Sequence, residues 1–137
     1  VRRVLNELYG FEQNGLCGDE DNGEMSCWYL LSSMGLFPLS PGNPSFILTS
    51  PLFSKIQVNL PNQKKIIIQS NNYSHENIYI QSFKLNQEPY SKLFVSHSDL
   101  SQGSHLVFEM SSTPNTSMEI KDSDLPYSFS NEFSTSN

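Results

Sequence analysis

The 137-residue chain is predicted to be an α+β fragment, helical at its front and built of short antiparallel strands behind. Three observations predict it. Apolar residues recur at helical spacing as far as Met34, alternate with polar ones from Ser45 onward, and are separated by Gly, Pro and Asn punctuation. The chain also opens inside a helical pattern, with no initiator Met and no cap. It is therefore expected to be the C-terminal piece of a larger polypeptide.

Val1, Val4, Leu5 and Leu8 fall on one face of a first helix, with Arg2, Arg3, Asn6 and Glu7 on the other. Gly10 stops this helix, and the stretch to Gly18 reads as a loop. A second helix follows the acidic run, with Met25, Trp28, Leu31 and Met34 along one face. Tyr29 and Leu30 widen that stripe, which predicts burial on most sides. Gly35 ends the helix and Pro38 prevents its continuation.

The strands follow from alternation and turn residues. Phe46 to Leu48 is a short apolar strand; Ile56, Val58 and Leu60 form the next, and Pro61-Asn62 turns the chain into Ile66-Ile67-Ile68. Asn71-Asn72 breaks the pattern before Ile78, Ile80 and Phe83 to Leu85. Asn86-Gln87 is a tight turn, followed by Pro89-Tyr90, by Leu93 to Val95, and by a last strand with Leu106, Phe108 and Met110 on one face. Strands at this spacing predict an antiparallel sandwich-like module. Residues 1–40 are thus assigned to the end of a helical domain, 41–112 to a β-strand module, and 113–137 to a disordered tail rich in Ser, Thr and Asn.

A net charge of -6 argues against nucleic acid as a partner, because phosphate backbones recruit basic faces. No apolar run is long enough to span a bilayer. Cys17 and Cys27 stand ten positions apart; a disulfide is open but not implied, two reduced or buried thiols are the expected reading, and neither spacing nor neighbouring His suggests zinc. His75, His97 and His105 share no spacing and read as surface or turn residues. Pro51-Leu52-Phe53 reads as a packed turn. Asn72-Tyr73-Ser74 and Asn115-Thr116-Ser117 match the N-glycosylation acceptor pattern.

Chemistry points to the run Gly18-Asp19-Glu20-Asp21-Asn22-Gly23-Glu24. Three consecutive carboxylates, with a fourth close behind, repel one another, and a helix start needs only one as a cap. Asp21 is well placed as that N-cap, and Glu24 three residues later completes a capping box. The macrodipole favours acids here as well. An EF-hand reading fails: Glu24 stands where the loop needs glycine, and Leu30 where it needs glutamate. What capping leaves unexplained is Asp19 and Glu20. Paired carboxylates can hold a water and take its proton, and a sharp turn permitted by Gly18 and Gly23 would bring Asp19 and Asp21 toward one pocket.

The run Leu16-Cys17-Gly18-Asp19-Glu20-Asp21-Asn22-Gly23-Glu24-Met25-Ser26-Cys27-Trp28-Tyr29 resembles a signature of family 92 glycoside hydrolases, the calcium-dependent exo-acting α-mannosidases. Further blocks resemble that family in the same order: Met34-Gly35-Leu36-Phe37-Pro38, Pro41-Gly42, Ser50 to Lys55, Asn77 to Ser82, and Leu85-Asn86. Cys27 stands where the family usually has Ala. The resemblance implies that residues 1–40 close an (α/α)6 catalytic barrel. It implies an inverting hydrolase of terminal α-linked mannose, α-1,2 being the commonest specificity, acting on mannose-containing glycans. By that resemblance Asp21 is the general base and Asp19 its partner, with Glu20 a weak substrate-binding candidate or a neighbour pointing away. The general acid glutamate and the Ca2+ ligands are expected in the upstream portion of the same polypeptide; no metal ligand is assigned in this chain. A secreted or periplasmic place is expected on the same ground. Trp28, which could stack on sugar, is expected in core packing. The rival from another class is a non-catalytic β-rich module that binds glycans or stabilises a neighbouring domain. An acidic-loop interaction protein is a third reading, weakened by the shortness of the cluster.

Overall fold

The computed structural model describes residues 1–132; the last part of the expected tail, 133–137, lies outside the described residues. Helix α1 (Arg2–Glu7) buries Leu5. Its Arg2 ties it to the strand module, donating from Nη2 to Ser50 Oγ at 2.8 Å and to the Pro51 carbonyl. Helix α2 (Glu24–Ser33) ends at Gly35, where φ is +78° and a Cβ would stand 2.6 Å from the Thr49 carbonyl oxygen. Only glycine fits there.

The stripe predicted to bury α2 on most sides does not do so. Only Ser32 and Ser33 are buried, and Leu30 is 59% exposed. The helix meets the rest of the chain through its small C-terminal residues, with the Leu52 amide donating to the Ser33 carbonyl at 2.8 Å. Its apolar face is partly covered, by Tyr9 of the loop after α1 and by Phe37 of the strand that follows, and Met34 beyond its end packs on the core.

Eight strands follow among the described residues: β1 (Leu36–Phe37), β2 (Ser45–Leu48), β3 (Lys55–Asn59), β4 (Lys65–Asn71), β5 (Tyr79–Leu85), β6 (Glu88–Pro89), β7 (Phe94–Ser96) and β8 (Ser104–Ser111). They form a three-stranded sheet in the order β1-β2-β7 and a five-stranded sheet in the order β3-β4-β8-β5-β6. The larger sheet is mixed, which corrects the antiparallel expectation: β4 and β8 run parallel, Ile66 opposite Ser104 through Asn71 opposite Glu109. Parallel neighbours need a long crossover. Here β5, β6, β7 and a short helix, α3 (His97–Ser101), make the return. Local alternation carries no information about strand direction, so the sequence pattern missed it.

Both sheets feed one core. Leu36 and Val95 from the smaller sheet meet Ile68, Phe83, Leu106, Phe108 and Met110 from the larger. Alternation along β8 is complete, with Ser104, Leu106, Phe108 and Met110 inward. Each large apolar side chain removed from water contributes about 1.5–3 kcal/mol, so β8 is the spine of the module. The Asn86-Gln87 turn has positive φ at both positions, 52° and 74°, as a two-residue hairpin of primed type requires. Helix α3 was not anticipated, although its capping box, Ser96 with Asp99, is written in the sequence as Ser-x-x-Asp.

The stretch 113–132, assigned to disorder on composition, contains little regular structure but is fastened to the strands. The Leu93 amide donates to the Asp124 carbonyl at 2.8 Å, and Ser91 Oγ donates to the buried Asp124 carboxylate at 3.0 Å. Composition counts apolar residues and overlooks such polar fastenings. Leu125 and Tyr127 stay exposed.

Candidate active site

The acidic run lies between two anchors. On its N-terminal side the loop closes on itself: the Gly10 amide donates to the Gly15 carbonyl at 2.8 Å, and Tyr9 pairs with Leu16 in an isolated antiparallel bridge. A Cβ on Gly15 would fall 2.2 Å from the Gly10 carbonyl oxygen, so glycine is obligatory. On its C-terminal side is α2. Tyr9 connects the two, stacking on Trp28 at 5.6 Å with planes 9° apart, meeting Tyr29 at 5.0 Å, and donating its hydroxyl to the Met25 carbonyl at 3.2 Å. Burial raises the Tyr9 phenol above its ordinary 10.0, and the nearby Cys17 and Glu20 push the same way.

The sequence reading gave the cap to Asp21 and Glu24; the structure gives it to Glu20. Asp21–Gly23 forms a 3-10 turn in which Asn22 and Gly23 both have positive φ, 55° and 80°. This Asn-Gly pair delays the start of α2 by two residues, so Gly23 is the N-cap and offers no side chain. Glu20 reaches across the turn instead, and its two oxygens accept from the Ser26 amide at 3.2 and 3.1 Å. One of the orphan amides of the helix start is thereby satisfied by a carboxylate at the favourable end of the dipole.

Asp19 and Asp21, on either side of Glu20, are exposed, and neither side chain has a hydrogen-bond or ion-pair partner among the described residues. The turn thus separates its acids into one structural carboxylate and two free ones. Among the described residues no three His, Cys, Asp or Glu side chains converge to hold a metal ion. These side chains by themselves do not fit a calcium site.

Neighbouring residues depart from expectation in several places. Cys17 and Cys27 are free thiols, in line with the reduced reading, and both are exposed. Trp28 is half-buried and packs against Tyr9 and Phe37, the latter at 6.3 Å. It lines an open hollow of about 610 Å³ with Val4, Tyr9, Met25, Cys27 and Phe37. His75 and His97 are exposed, whereas His105 sits within β8. Tyr9 carried no signal in the sequence beyond the end of a helical stripe, and its part in joining loop to helix was missed.

Solved glycoside hydrolases contain a region similar to this chain. A family 92 α-mannosidase from Bacteroides thetaiotaomicron superposes with a TM-score of 0.88 at 30% identity, over 93% of this chain and 17% of that one. A family 92 inverting mannosidase from Bacteroides thetaiotaomicron VPI-5482 gives a TM-score of 0.86 at 37% identity, over 94% of this chain and 18% of that one. An uncharacterized secreted glycosidase of Arthroderma benhamiae is 30% identical over 86 residues, which is 61% of this chain and 11% of that protein. Residues 1–112 match the glycosyl hydrolase family 92 catalytic domain, and the chain belongs to that family. It spans less than a fifth of the length of each of these relatives.

Proposed function

We propose that this chain supplies the general base of an inverting exo-α-mannosidase that removes terminal α-linked mannose, α-1,2-linked in particular, from glycans. The observation that carries the proposal is the division of labour in the acidic turn. Glu20 is committed to the helix, while Asp19 and Asp21 stand free within a stretch that matches a glycosidase catalytic domain. Asp21 takes the proton from a water, and Asp19 accepts that water's other hydrogen and fixes its orientation. The water attacks the anomeric carbon from the face opposite the leaving group. A glutamic acid from the upstream portion of the polypeptide protonates the departing oxygen, on the order of 6.5–9.5 Å from the base so that the water fits between. An inverting relative in the same family supports this geometry.

The other walls of the sugar site, the remaining helices of an (α/α)6 barrel and the calcium ligands are assigned to that upstream portion. The half-covered stripe of α2 supports such a neighbour. Calcium, when bound, would engage sugar hydroxyls; no step here runs through it, since this chain's side chains do not form its site. The secreted description of the fungal relative supports an extracytoplasmic place. A non-catalytic glycan-binding module has less support, because the family match runs through both helices and the acidic turn as well as the strands.

The test is the stereochemistry of the first product. Full-length protein with an aryl α-mannoside should release β-mannose, followed by proton NMR before mutarotation. Release of α-mannose would overturn the single-displacement role of Asp21.

A further inference from the structure

Two Asn-x-Ser motifs remain outside the proposed chemistry, and the fold places them in opposite circumstances. A third, Asn43-Pro44-Ser45, is barred by its central proline. Asn72 directly follows β4, on the connection to β5. It is exposed, with a left-handed φ of 55°, and Tyr73 beside it is 41% exposed. The backbone of this connection is pinned while its amide side chain is not. The Asn72 carbonyl accepts from Asn77 Nδ2 at 2.6 Å and Ser74 Oγ accepts from the Asn77 amide at 3.1 Å. The Asn72 carboxamide itself has no hydrogen-bond partner among the described residues.

Asn115 is the reverse. It is half-buried, and its Nδ2 donates to the Gln81 carbonyl at 3.0 Å. Its Oδ1 accepts from the Ser117 amide at 3.1 Å and from Ser117 Oγ at 2.9 Å. Gln81 in turn donates from Nε2 to the Thr113 carbonyl at 2.6 Å. The Nδ2 end of this carboxamide holds the stretch after β8 against β5, and the Oδ1 end closes a turn within that stretch. A sugar on Nδ2 would replace one of its two N–H groups and wedge a ring beside the β5 carbonyl.

We propose that Asn72 is an N-glycosylation acceptor and that Asn115 is not. The donor is an oligosaccharide linked through its anomeric carbon to a lipid diphosphate. The Asn72 Nδ2 forms a bond to that carbon, the bond from the carbon to the diphosphate oxygen breaks, the lipid diphosphate leaves with the electron pair, and the amide loses one proton. The hydroxyl of Ser74 supplies the third position of the motif. Neither Asn72 nor Ser74 belongs to the acidic turn, so the acceptor is tested without altering Asp19 or Asp21.

The inference rests on an extracytoplasmic place only for its occurrence in the native setting; the acceptor geometry is tested by directing the protein through a eukaryotic secretory pathway. The full-length protein is secreted, treated with peptide N-glycosidase in heavy-oxygen water, and peptide-mapped by mass spectrometry. The isotope label is expected at Asn72 and absent at Asn115. Ser74→Ala should abolish the label at Asn72, Ser74→Thr should keep it, and Ser117→Ala should leave the label at Asn72 and add or remove none elsewhere. An unlabelled Asn72 in the secreted wild type, or a label at Asn115, would overturn the assignment.

Discussion

The assignment of the α2 cap to Glu20 instead of Asp21 can be tested by one pair of substitutions. Glu20→Ala removes the only side-chain acceptor of the Ser26 amide among the described residues, two contacts of 3.2 and 3.1 Å. Loss of a capping acceptor costs roughly 1 kcal/mol, within a range of about 0.5–2. For local opening of the first turn that is about a fivefold loss of protection. Asp21→Ala removes no hydrogen bond in the structure, so Ser26 protection should stay within experimental scatter of wild type. Glu20→Gln keeps one neutral acceptor oxygen and should fall between, because a carboxylate binds an amide more strongly than a carboxamide does. Hydrogen exchange on the full-length protein, read at the Ser26 amide by fragmentation mass spectrometry, gives the three values. Strong deprotection in Asp21→Ala with little change in Glu20→Ala would refute the division of roles and restore the capping box read from the sequence.

Three further outcomes follow from the same structure. Leu106→Ala, at a fully buried position on β8, should destabilise the protein by about 2–5 kcal/mol, seen as a lowered denaturation midpoint and lost β8 amide protection. An unchanged midpoint would mean that β8 does not anchor the core. Gly15→Ala should open the loop before the acidic turn, since its Cβ would stand 2.2 Å from the Gly10 oxygen; faster Gly10 amide exchange is the readout, and wild-type exchange would contradict the close approach. The 137-residue chain produced alone should hydrolyse no aryl α-mannoside, because the proposal assigns it the base and places the acid outside it. Measurable release of the aryl group would show that the acid lies within it.

What the sequence revealed and concealed divides along physical lines. Helical spacing and strand alternation are local, and they located α1, α2 and the stretches that became β2 to β5, β7 and β8. Turn chemistry was equally local: Asn86-Gln87 and Gly35 stand where positive φ is required. Parallel pairing of β4 with β8 depends on a crossover of more than thirty residues and leaves no mark in either strand's pattern. The burial of α2 was over-read because apolarity predicts that a face packs, not how completely: Met25, Trp28, Leu31 and Met34 are half-buried and Leu30 is exposed. At the acidic turn the residue types identified the candidate carboxylates, but the roles went astray. The Asn22-Gly23 pair, visible as a turn signal, shifts the helix start and passes the cap from Asp21 to Glu20. That shift leaves the Asp21 side chain without a hydrogen-bond partner among the described residues.

The most direct measurement of the central claim is turnover by the full-length Asp21→Ala variant on an aryl α-mannoside, with its circular dichroism compared to wild type. A general base contributes typically 10²–10⁴-fold, so kcat should fall by about that factor or more while the fold is retained. Wild-type kcat in a folded Asp21→Ala protein would place the base elsewhere and contradict the account.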